Sequence, residues 1–259
     1  MSDTYISSNS LKAALCASGV ACRAVDIAVC NDNTNVFACT RPPGHHAGRY
    51  GCTGGCLSTG FCLLNNAAIA AIYARVRWGL ERVAVVDIDV HFGNGTAELL
   101  KDDPQAFFAS VHMIYGEDND GTRKEEGKPR PSSSAGFYPS TMGTTEARTF
   151  VGSEGFLEAL RDVIIPKMEA FNPQLLIISS GFDGYVSDPL GGQLCLSLED
   201  YKVATKMLMQ SMAKLRSNTD SGTISGRVIS VLEGGYDTAP GTLGLARCVD
   251  AHVQALQEG

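Results

Sequence analysis

The stretch VVDIDVHFGNG, residues 85–95, carries Asp87, Asp89 and His91 at alternate positions after an apolar run, and glycines follow. Alternate residues of a strand share a face, so the spacing predicts all three side chains on one side of a strand end. An Asp-x-His pair offers an oxygen and a nitrogen ligand together. With Asp183 from SSGFDG the set becomes one nitrogen and two oxygens. That set leaves coordination positions for water and substrate, which is the arrangement of a catalytic rather than a structural metal site. Taken alone, the triplet also fits a chance cluster satisfied by hydrogen bonds.

A second group is the tandem His45-His46 in RPPGHHAG. In a proline-flanked loop two histidines are ordinarily just solvated. Beside a hydrated metal they suit amide hydrolysis, which needs a base for the water and an acid for the leaving amine. Each imidazole is then tuned by the group behind it. Tyr236 in LEGGYD is the third candidate. Its phenol could donate to a carbonyl oxygen that gains charge in a tetrahedral state. Gly234 and Gly235 would let that backbone approach closely, whereas the plain alternative is a half-buried tyrosine after a tight turn.

These residues need elements that bring them together. Five apolar runs read as strands: 35–39, 82–90, 107–112, 174–180 and 227–232. Several are continuously apolar, as expected for parallel strands covered on both faces. Helical patterns lie between them at 10–29, 65–78, 152–171, 199–215 and 242–256. The alternation predicts an α/β domain with a mainly parallel sheet between helices. In such sheets ligands bind beyond the carboxyl ends of the strands. Each strand end here is followed by chemically able groups: His45 and His46; Asp87, Asp89 and His91; Ser110 and His112; Asp183; and Tyr236. Four of the five histidines of the chain fall in this set.

The totals narrow the function classes. A chain of 259 residues with 44% hydrophobic residues and 28 glycines suits a globular domain with a sizeable core. A net charge of −7 gives no basic footprint, so direct nucleic-acid binding is not expected. No apolar run is expected to reach the ~20 residues of a membrane span, and no secretory segment is read at the start. Cys16, Cys22, Cys30, Cys62, Cys195 and Cys248 are expected to be reduced core residues of an intracellular protein. Cys52 and Cys56 form C-x3-C, but a structural zinc there would need two more ligands, and no second Cys/His pair is apparent. The polar segment 115–139 is expected to be one long surface loop.

Taken in order, RPPGHHA, GFCLLNNAAIA, VAVVDIDVHFGNGTAE, SSGFDGYVSDPLGG and LEGGYD resemble the successive signatures of the zinc-dependent histone deacetylase family, most closely its class II branch. The similarity covers nearly the whole chain and includes SLKAALCASGVACRAVDIAV before the tandem histidines. It implies a single deacetylase domain over residues 1–259 with a three-layer, arginase-like α/β fold. It also implies hydrolysis of acetyl-lysine in histones or other proteins, and a place in chromatin and transcription regulation in the nucleus or cytoplasm. A corepressor complex is the partner it suggests; no membrane partner is expected.

Carried over by position, the resemblance implies that Asp89, His91 and Asp183 bind Zn(2+). His45 and His46 would be the paired acid/base histidines, with Asp87 and Asn94 behind them, and Tyr236 would polarise the carbonyl. Asp87, Asp89, His91, Ser110 and Val111 match a buried monovalent-cation site, usually K(+). Gly60, Phe61 and Tyr138 match the lining of the acyl-lysine tunnel, and Asp3 lies near the family's rim aspartate. Three departures stand out. The family usually has phenylalanine where Tyr138 stands, and the loop 48–59 is long and glycine-rich. The family also normally has further strands and helices ahead of the helix at 10–29. Their absence would remove a sheet edge and one tunnel wall. Two other functions remain open: a small-molecule amidohydrolase acting on acetylated polyamines, and a non-catalytic scaffold that binds corepressors or acetylated partners.

Overall fold

The computed structural model describes residues 3–53, 58–113, 146–149, 152–191, 194–217 and 224–258. Among the described residues six strands form one sheet: β1 (Val36–Ala38), β2 (Val83–Asp87), β3 (Ala106–His112), β4 (Glu146–Thr149), β5 (Leu175–Ser180) and β6 (Arg227–Leu232). Their order is β1-β6-β5-β2-β3-β4, and every described pairing is parallel. The helices are α1 (Ser10–Cys30), α2 (Asn66–Trp78), α3 (Asn94–Leu100), α4 (Gly152–Glu158), α5 (Ile165–Phe171), α6 (Leu198–Ser217) and α7 (Gly244–Glu258). A π-helical turn, Ala159–Ile164, joins α4 to α5.

Strand alternation divides the core in two. Val83, Val85, Leu175, Ile177, Ile229 and Val231 face a cluster built with α1, α2 and α3. Ala84, Val86, Leu176, Ile178 and Val228 face the opposite cluster, built with the α4–α5 segment, α6 and α7. The layers are therefore helices, sheet and helices. Burial on both faces is why β2 and β5 read as unbroken apolar runs. Local signals fix the ends of α2: the Asn65 side chain accepts from the Ala68 amide at 2.9 Å, and Gly79 at φ 68° closes the helix in the left-handed region.

The topology sets the place of the site. The chain leaves β2 for β3 and β4 on one side, then returns to β5 on the other side of β2. The crevice beyond the carboxyl ends of β2 and β5 is thus the switch point of the sheet, where open α/β sheets hold ligands.

Several expectations need correction. The second strand ends at Asp87 and not at residue 90, so Asp89 and His91 lie on the turn beyond it. The carboxylate of Asp87 itself breaks the ladder, its Oδ1 accepting from the Asp89 amide at 3.0 Å. The short helix α3 was not expected, because its G-N-G opening reads as loop; nor was β4, which lacks an apolar pattern. Of the six cysteines expected in the core, Cys62 and Cys248 are buried, Cys22 is partly so, and Cys16, Cys30 and Cys195 are exposed. Helix positions alone do not reveal which face looks inward. All described cysteines are free thiols. Cys56, Tyr138 and the whole of the polar segment 115–139 lie outside the described residues. Finally, α1 is long and apolar enough to cross a membrane by length and composition, with mean hydropathy 1.7. Its inner stripe, Ala14, Ala17, Ala21, Val25 and Ala28, is buried, and the helix packs on α2, β1 and β6 as a core helix does.

Candidate active site

Three loops meet in the crevice. Asp89 and His91 come from the turn after β2, Asp183 from the turn after β5, and His45 and His46 from the loop that follows β1. His91 Nδ1 lies 3.0 Å from Asp183 Oδ2 and 3.1 Å from Asp89 Oδ1. Ligand atoms of Asp89, His91 and Asp183 all fall within 4.8 Å of one another. Both carboxylates are fully buried. Backbone amides fix them: Gly234 N donates to Asp89 Oδ2 at 2.8 Å, and Val90 N donates to Asp183 Oδ1 at 3.1 Å.

Glycine makes this closeness possible. A Cβ at Gly181 would sit 2.0 Å from Asp89 Oδ2, and one at Gly234 would sit 2.3 Å from Asp183 Oδ2 and 2.5 Å from Asp89 Oδ2. Behind them, a Cβ at Gly93 would meet Asp87 Oδ2 at 2.2 Å. Any other residue at these positions would push the carboxylates out of place.

The two tandem histidines are held differently. His45 Nδ1 lies 2.9 Å from Asp87 Oδ2, whereas His46 Nδ1 lies 2.8 Å from Asn94 Oδ1. Their rings are in contact, with centroids 4.0 Å apart, and His46 lies 5.9 Å from the His91 ring. Burial opposes protonation of both. At His45 the charges of Asp89 and Asp87 outweigh burial and hold the pKa well above the imidazole value. At His46 the neutral Asn94 offers no such charge, and burial with the neighbouring imidazoles holds the pKa well below it. The surroundings thus push the two rings in opposite directions, favouring the protonated form of His45 and the neutral form of His46. The Nδ1–H of His46 donates to Asn94 Oδ1, so Nε2 is the acceptor nitrogen of the neutral ring.

The donor set has the charge and chemistry to take a cation. Burial opposes a charge on His91, yet Asp183 and Asp89 raise its pKa to about 10. Burial and the Asp89 charge push the Asp183 carboxyl up to about 6. Asp87, Asp89, Asp183 and Glu233 are all 0% exposed, and among the described residues the ion pairs of the first three are with His45 and His91. Buried carboxylates at this density call for a compensating cation. The two that hold a proton on His91 would hold a metal ion in its stead, so the residues fit. A second trio, His45, Cys62 and Glu233, also lies within 4.8 Å. Its donors are already engaged: burial keeps the Cys62 thiol protonated, donating to Gly60 O at 3.4 Å, and Glu233 is occupied by backbone.

Tyr236 follows Gly234 and Gly235, the latter at φ 125°. Burial, with Asp183 and Asp89, pushes its phenol far above the usual range, so it stays a hydrogen-bond donor. Phe61 meets the Tyr236 ring edge-on at 5.5 Å and is 38% exposed, at the mouth. Gly60 and Phe61 both have positive φ, 51° and 66°. Asp3 lies beside this segment: its Oδ1 accepts from Thr4 Oγ1 at 2.8 Å and from Ser58 Oγ, and Thr4 Oγ1 accepts from Phe61 N at 3.0 Å. Ser110 is the register partner of Asp87 on β3, with Val111 next to it, both fully buried. Ser110 Oγ lies 3.0 Å from His112 Nδ1.

Sequence reading missed three contributors. Glu233 Oε2 accepts from the amides of Gly44 at 2.6 Å and His45 at 3.1 Å, while its Oε1 accepts from Ser179 Oγ at 2.8 Å. It clamps the histidine loop to β5 and β6, and its one signal was a carboxylate closing an apolar strand. Asp188 Oδ2 accepts from the Tyr236 amide at 2.6 Å. Arg41 lies against Tyr236. The last two carry no spacing signal, since each acts across the fold.

The chain matches the family model described as the histone deacetylase domain over residues 1–256. It is 44% identical over 258 residues to a Dictyostelium discoideum protein named type-2 histone deacetylase 2, covering 99% of this chain and 14% of that protein. It is 31% identical to a Danio rerio protein named polyamine deacetylase HDAC10, covering 96% of this chain and 34% of that one. The crystal structure of the HDA15 HD domain superposes with a TM-score of 0.75 at 30% identity, covering 99% of this chain and 65% of that one. The chain thus spans well under two thirds of these two curated relatives.

Proposed function

The chain belongs to the histone deacetylase family, and from that premise we propose that it hydrolyses acetyl-lysine amides of histones or other proteins with the help of zinc, releasing acetate and free lysine. The observation that carries this reading is the pair of touching imidazoles, His45 backed by the Asp87 carboxylate and His46 by the Asn94 amide, beside the Asp89–His91–Asp183 donor set. Asp89, His91 and Asp183 would hold the ion. Zinc bound there would supply Lewis-acid polarisation of the amide carbonyl and lower the pKa of the attacking water.

The chain's own groups supply the rest. Nε2 of His46, which burial and the neighbouring imidazoles of His45 and His91 favour in the neutral form, takes a proton from the water as its oxygen attacks the carbonyl carbon. The Tyr236 phenol donates to the carbonyl oxygen as charge builds there. His45, held cationic by the carboxylates around it, gives its proton to the amide nitrogen as the C–N bond breaks. The products are acetate and the lysine amine. Phe61 offers an apolar wall to the lysine stem. Asp87, Ser110 and Val111, with the turn after β2, are proposed to hold a potassium ion, which would offset part of the buried carboxylate charge.

The test loads the chain with zinc and compares acetate release from an acetyl-lysine peptide and from N-acetylated polyamines. Release from the peptide supports the reading. Release from the polyamines alone moves the substrate class to small amines, in line with the name of the Danio rerio relative. Stoichiometric zinc without release from either leaves a binding scaffold.

A further inference from the structure

Arg41 opens the segment that leads through Pro42 and Pro43 to the tandem histidines, and its side chain is exposed. Its guanidinium carbon lies 5.2 Å from the centroid of the Tyr236 ring. Its Nη2 donates to the Gly235 carbonyl at 2.5 Å. The planar guanidinium thus stacks on the phenol and grips the peptide that precedes it, a pairing that lysine cannot reproduce. Gly235 at φ 125° has a backbone that its own side chain cannot restrain, so the approach to Tyr236 must be held from outside. Asp188 holds the Tyr236 amide, and Phe61 meets the ring edge-on. Arg41 also works on the phenol electrostatically, opposing the upward push of Asp183 and Asp89.

We propose that Arg41 is the positioning residue for Tyr236, aiming its hydroxyl at the reacting carbonyl through the stack on the ring and the bond to Gly235. The inference rests on the deacetylase reading for its kinetic consequence, but not for its structural one. Exposure of Arg41 means that its replacement removes these contacts without opening the core.

The test is a double-mutant cycle on the zinc-loaded chain with an acetyl-lysine peptide. Arg41→Ala should lower kcat roughly 10- to 100-fold, the loss expected from one stacked cation and one charge-assisted hydrogen bond. KM and bound zinc should stay within about 2-fold of wild type, since neither substrate nor metal is touched. Tyr236→Phe should lose roughly 10²–10³ in kcat. Adding Arg41→Ala to Tyr236→Phe should cost less than about 2-fold more, because the hydroxyl it aims is already gone. Arg41→Lys should recover only a small part. An Arg41→Ala kcat within about 2-fold of wild type, or an equal loss in the Phe background, overturns the proposal. Hydrogen exchange of the Tyr236 amide needs no substrate and should speed up in Arg41→Ala. If wild type releases no acetate, the deacetylase reading fails and exchange alone decides: faster exchange sustains the positioning role, and unchanged exchange overturns it.

Discussion

Gly181→Ala probes how tightly the backbone cradles the donor set. The new methyl carbon would lie 2.0 Å from Asp89 Oδ2, 2.3 Å from its Cγ and 2.5 Å from its Cβ. To reach an ordinary contact of 3.4 Å the carboxylate oxygen must retreat by about 1.4 Å. A zinc–oxygen bond spans roughly 2.0–2.2 Å, so such a retreat takes the oxygen out of coordination. It also opens the 2.8 Å bond from Gly234 N. A misplacement of about 1 Å costs about 10²-fold in rate, and a lost ligand costs more. Gly181→Ala should therefore lower kcat/KM by at least roughly 10²-fold and weaken zinc binding. Gly19→Ala is the control. Nothing lies within 4 Å of its Cβ, and it sits inside α1, so it should stabilise by about 0.5–1 kcal/mol and leave activity alone. The assays are acetate release, bound zinc by elemental analysis and thermal melting. Full zinc with more than half of wild-type kcat/KM in Gly181→Ala would refute the cradle argument.

Two further outcomes follow from the buried imidazoles. His46→Ala should cripple water attack, by roughly 10²–10⁴-fold in kcat for loss of a general base, while His45→Ala should slow the reaction less and shift the acidic limb of the pH profile. Both should keep stoichiometric zinc, and a larger loss in His45→Ala would reverse the assignment. His252 is buried between Thr205 and Ser230 at 2.7 and 2.8 Å, and burial lowers its pKa to about 3. The folded value lies below the ordinary imidazole value, so its contribution is intact above about pH 6.5 and is lost as pH falls from there toward 3, at about 1.4 kcal/mol per unit. Between pH 6.5 and 5 the His252→Gln variant should lose about 2 kcal/mol less stability than wild type in urea titrations, and equal slopes would contradict this.

What the sequence made legible was mostly what burial imposes. Strands covered on both faces must be apolar throughout, so β2, β5 and β6 stand out, and carboxylates and imidazoles that end them are conspicuous by contrast. Helix α2 was legible from its helical pattern over 65–78, and the caps at Asn65 and Gly79 emerged only with the structure. Helix α3 stayed hidden because Gly93 and Gly95 are there for close approach to Asp87 and to the His46–Ala47 backbone, not for a turn. Glu233 and Arg41 escaped for a different reason. The partners of their side chains lie 54 or more residues away in sequence, and no local period records such contacts. The exposed cysteines of α1 show the same limit: composition marked an apolar helix, but only packing on α2 and the sheet decides which face is inside.

Asp89, His91 and Asp183 are proposed to hold one zinc ion on which amide hydrolysis depends. Acetate release from an acetyl-lysine peptide, followed while zinc is titrated into the metal-free chain, tests it most directly. The rate should climb to one equivalent of zinc per chain and level off, and Asp183→Ala should show no such rise. A rate that ignores zinc, or one that climbs equally in Asp183→Ala, would contradict the account.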